Sequence, residues 1–108
     1  MSLANPVRGE VTLLIRGESH VLRPTFAALV AAEDELGPLF ALVERASAGQ
    51  LRLGELAALF WHCLVSPGAL TREDLGEAIA AQGLAAATAP LRTLLVQILQ
   101  GRSSTGSG

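Results

Sequence analysis

His62 and Cys63 stand side by side, and a histidine beside a cysteine is the first place to look for nucleophilic chemistry in this chain. Their spacing argues against it. Neighbouring positions on a helix point about 100° apart, so the imidazole does not face the thiol as a base faces its nucleophile. Cys63 is the single cysteine, which leaves no internal disulfide and no Cys-rich zinc site. It reads as core. His20, the other histidine, falls in a predicted strand, and neither histidine belongs to an HExxH or CxxC arrangement.

The carboxylates are the next candidates. Glu33, Asp34 and Glu35 form the densest acidic run. Asp34 and Glu35 read as a solvated outer face. Glu33 falls among Phe26, Leu29, Val30 and Leu36 on a helical wheel, and a carboxylate inside an apolar stripe needs a partner. Two readings stay open: an edge position or a salt bridge to an arginine such as Arg52, or a polar anchor for a helix end or a partner protein. No second acid is placed for general acid–base work. Glu73, Asp74 and Glu77 suit the front of a helix and its solvated side. Trp61 sits at the edge of an apolar arc, where core packing competes with an interface. Glu33 and Trp61 are therefore the candidate partner-binding residues; no catalytic, cofactor or metal-binding residue is expected.

The wider composition agrees. The 108 residues carry a formal net charge of −2, and all eight basic residues are arginines scattered from Arg8 to Arg102. No basic stripe forms, so direct nucleic-acid binding is not expected. Gly37-Pro38 and Pro67-Gly68 punctuate the chain and are not phosphate loops. Hydrophobic residues make up 50% but aromatics only 4%. No apolar run approaches a membrane span and no signal-peptide layout appears, so a soluble cytoplasmic protein is the expectation. High mean hydropathy (+0.43) with few charges suggests apolar surface kept for a partner.

The elements that must position these residues follow from periodicity. Residues 1–6 read as a loose lead-in. Residues 7–16 favour a strand with Val11, Leu13 and Ile15 on one face, although Leu14 breaks the alternation. Gly17-Glu18 suits a tight turn, and 20–23 returns as a second strand. Such a ribbon is marginal alone, so it must lie on helices or pair with another chain. Thr25 caps a helix from Phe26, stopped at Gly37-Pro38. Further helices are predicted over 39–48, with Leu39, Phe40, Val43 and Ala46 inward, and over 53–65. The second of these is apolar around most of its circumference and reads as central. Thr71 and Asp74 open another helix, and the last begins near Pro90, with Thr88 as its candidate cap, or is extended backwards through the alanine-rich 85–89 with Pro90 near its start. The fold class is α+β and mostly helical: an N-terminal β-hairpin followed by about five short helices. One domain is expected over 1–101, with a disordered Ser/Gly-rich tail at 102–108. Phe26, Leu29 and Phe40 are expected mainly to hold the fold.

The order NPVRGE at 5–10, LRPTFAAL at 22–29, the acidic helix end at 33–37, LFAL at 39–42 and LRLGELAAL at 51–59 resembles a known family. It is similar to the small tail protein of the gene transfer agents of alphaproteobacteria, phage-derived particles that carry host DNA. The resemblance covers roughly 5–101. It implies a non-enzymatic protein, described both as a tail tube protein and as a tail assembly chaperone. A tube subunit is expected to be rich in strands, so the helical reading favours the chaperone. The partners implied are the tail tube protein, the tape-measure protein or both. Homo-oligomerisation, including pairing of hairpins between chains, stays open.

Overall fold

The computed structural model describes residues 10–100; the lead-in and the Ser/Gly tail lie outside those residues. Strands β1 (Val11–Ile15) and β2 (Glu18–Leu22) pair antiparallel, with Val11 opposite Leu22 and Ile15 opposite Glu18. The turn is Arg16-Gly17, one residue earlier than expected, with φ of 54° and 80°. Both residues are left-handed, as a two-residue hairpin turn of matching twist requires. Burial sets the register: Leu13 and Ile15 face the core, while Leu14 is simply an exposed leucine on the other face.

The ribbon lies on the helices. Leu22 bridges to Leu64, the Arg23 amide donates to the Cys63 carbonyl at 2.7 Å, and the Val65 amide donates to the Val21 carbonyl at 3.0 Å. On the β1 side, the Gln82 side-chain amide donates to the Leu14 carbonyl. Both edges therefore carry contacts from the same chain, which is how a short sheet avoids templating further strands. At the start of the ribbon, Arg23 Nε donates to Glu10 Oε2 at 2.6 Å, holding a buried carboxylate.

Five helices follow: α1 (Phe26–Leu36), α2 (Leu39–Ser47), α3 (Leu53–Cys63), α4 (Arg72–Gln82) and α5 (Leu84–Gln100). Helix α3 is central, as its sequence predicts. Leu56 through Phe60 and Cys63 are all buried, and α1 and α4 pack on it. Thr25 caps α1 by accepting from the Ala28 amide at 3.1 Å. Thr71 and Asp74 exchange side-chain-to-backbone bonds, both 3.0 Å, at the start of α4. At Gly83 (φ 90°) the chain turns by 116° into α5.

The structure corrects the expectations for α1, α2 and α5. Helix α1 does not use the stripe of Phe26, Leu29, Val30 and Leu36; its buried residues are Ala28 and Ala32, with Leu29 and Leu36 half-buried beside them. Small side chains let α1 approach α3 closely, so the large ones are turned away. Phe26 is 85% exposed and Phe40 is 80% exposed; neither holds the fold. In α2 Val43 is buried as expected and Leu39 and Ala46 are half-buried, but Leu42 takes the inward place expected for Phe40. Helix α5 begins at Leu84, so the backward extension through 85–89 is the one formed, Pro90 lies inside the helix and Thr88 does not cap. Instead the Thr88 hydroxyl donates to the Leu84 carbonyl at 3.2 Å. Pro90 removes one backbone bond there. Ala87, on one side of it, and Leu94, on the other, are buried and hold the helix across the gap.

Candidate interaction surface

Glu33 occupies the outward face of α1, not its apolar side. On a 100° wheel it lies within about 20° of Phe26 and about 60° of Val30, both exposed. Its Oε2 accepts from the Leu39 amide at 3.0 Å. A carboxylate on the first amide of α2 satisfies an orphan donor and opposes the positive helix end. Of the readings open in the sequence, Glu33 is exposed, as an edge position is, and it anchors the start of α2; the salt bridge to Arg52 is not formed. The alternative partner, Arg52, donates its backbone amide to Glu55 instead, and Glu55 is held at 2.7 Å by Arg45. The Arg45 guanidinium, then the Arg52 amide, keep the Glu55 carboxyl below its ordinary value.

Trp61 is half-buried and packs against the core. It does not join Glu33 in the depression described below. The structure thus separates the two candidate partner residues. Next to Trp61, His62 faces Glu35 rather than Cys63. Its Nε2 lies 2.8 Å from Glu35 Oε1, while Arg72 donates to Glu35 Oε2 at 2.6 Å. Glu35 is thereby a clasp joining α1, α3 and α4, and not merely a solvated acid. The Arg72 bond, then that to His62, lowers its carboxyl from the ordinary value. Sequence reasoning missed this clasp because its members are 27 and 37 residues apart.

Cys63 is buried in the core, and burial pushes its thiol up to about 12. It is a small apolar filler. Among the described residues no group of three His, Cys, Asp or Glu could hold a metal ion. Nor is any single helix long and apolar enough to cross a membrane.

Exposed apolar surface of the kind the composition suggests lies between α2 and α5, a place that no motif announced. These helices leave an open seam along α5. At one end a depression of about 180 Å³ is lined by Glu33, Leu39, Phe40, Val43, Ile98 and Leu99. It continues into one of about 320 Å³, where Val43 and Ala46 face Leu91, Leu95 and Val96. A third, of about 300 Å³, adds Leu51, Leu53, Leu84 and Ala87. Phe40 and Leu99, the latter 55% exposed, form the lip at the Glu33 end. Apolar side chains lining a groove between amphipathic helices form a surface for contact, not for bond-making.

The fold is small and mostly helical, with one tethered hairpin and an open apolar seam. The comparisons give the chain its family. A profile described as "phage tail tube protein, GTA-gp10" matches residues 8–101, and the chain belongs to this family. It is a non-enzymatic, phage-type tail protein of the kind that gene transfer agents carry. No curated protein and no solved structure matched the chain.

Proposed function

We propose that this protein is a tail assembly chaperone: it binds the tail tube or tape-measure protein in the cytoplasm during tail morphogenesis and leaves before the particle is complete. The observation that carries this reading is the sheet. The described residues contain one two-stranded ribbon, and its edges are engaged by Leu64, Val65 and Gln82 of the same chain. A tube wall made of continuous sheet needs free strand edges to pass from subunit to subunit. The apolar seam between α2 and α5 is what a chaperone needs instead. Glu33, at the end of that seam, and the uncovered side of Trp61 are the proposed client contacts.

The family description favours a second reading, a structural tube or connector component. One experiment separates the two. The protein is co-expressed with the major tail protein and, separately, with the tape-measure protein of the same gene cluster. Complex mass is read by size-exclusion chromatography with light scattering, and finished particles are assayed for the protein. Capture of a client together with absence from finished particles supports the chaperone. Stoichiometric presence in finished particles, or rings and tubes formed by the protein alone, replaces it with the structural reading.

A further inference from the structure

We draw no further inference here: the strongest candidate, the apolar groove between α2 and α5, is lined by one acid, Glu33, which the Leu39 amide already engages, and one cation, Arg92, and nothing in the structure shows what covers it.

Discussion

The three phenylalanines divide the molecule into two regions. Phe60, on α3, is fully buried, whereas Phe26 and Phe40, at the starts of α1 and α2, are 85% and 80% exposed. Around Phe60 the chain is packed on every side by α1 and α4, with Leu59, Leu75 and Leu94 buried in the same cluster. Around Phe26 and Phe40 the inward positions belong to smaller or neighbouring side chains, Ala28, Ala32, Leu42 and Val43. Aromatic residues are scarce here, and two of the three phenylalanines are spent outside the core. The difference teaches that the packed core and the exposed apolar surface lie on different faces of this small fold. Substitutions on one should therefore leave the other largely untouched.

The largest effect should come from breaking the packed region. Phe60→Ala is expected to lower stability by about 3–5 kcal/mol, through lost burial and the cavity left behind. Urea denaturation would read this as a fall in midpoint; a change below about 1 kcal/mol would mean that the core is not centred on α3. Next comes the helix cap on the same side. Thr71→Ala removes the acceptor for the Asp74 amide and should cost about 1 kcal/mol by the same assay.

A smaller effect should appear at the clasp. The Glu35 carboxyl is lowered by Arg72 and His62, so its folded-state value lies below that of the unfolded chain. Its contribution is thus present above the unfolded value and is lost as pH falls through the folded one. Because Glu35 is partly exposed, the contribution should be no more than about 1 kcal/mol. Glu35→Gln should lower the melting temperature slightly at neutral pH and make no difference in strong acid. An equal loss at both pH values would show that geometry, not charge, holds α1 to α4 there. The smallest effect belongs to the open face. Phe26→Ser and Phe40→Ser should each change stability by no more than about 0.5 kcal/mol. A melting curve that drops as far as for Phe60→Ala would erase the distinction between the two regions.

Much of the architecture was legible because local signals agreed with one another. The alternation of Leu13 and Ile15 called the first strand, Thr25 and the Thr71–Asp74 pair called helix starts, and the breadth of apolar residues from Leu56 to Cys63 called the central helix. The candidate site was less legible. Glu33 was singled out by a wheel that placed it on an apolar stripe, and the stripe proved to be the outward face. Hydrophobicity alone ranks Phe26 and Val30 above Ala28 and Ala32 as core. It carries no information on how closely the neighbouring helix must approach.

By itself, then, the sequence determined the class of the fold, the order of its elements and the absence of a paired nucleophile and base at His62-Cys63. These rest on short-range physics: period, capping groups, and the angle between adjacent side chains on a helix. The tertiary structure alone decided which face of each amphipathic helix is buried. It also brought Glu35, His62 and Arg72 together from three helices and left α2 and α5 apart with an apolar groove between them. Each of those outcomes depends on the distance between helix axes, which is set by side chains far apart in the chain and has no signature in any single stretch of it.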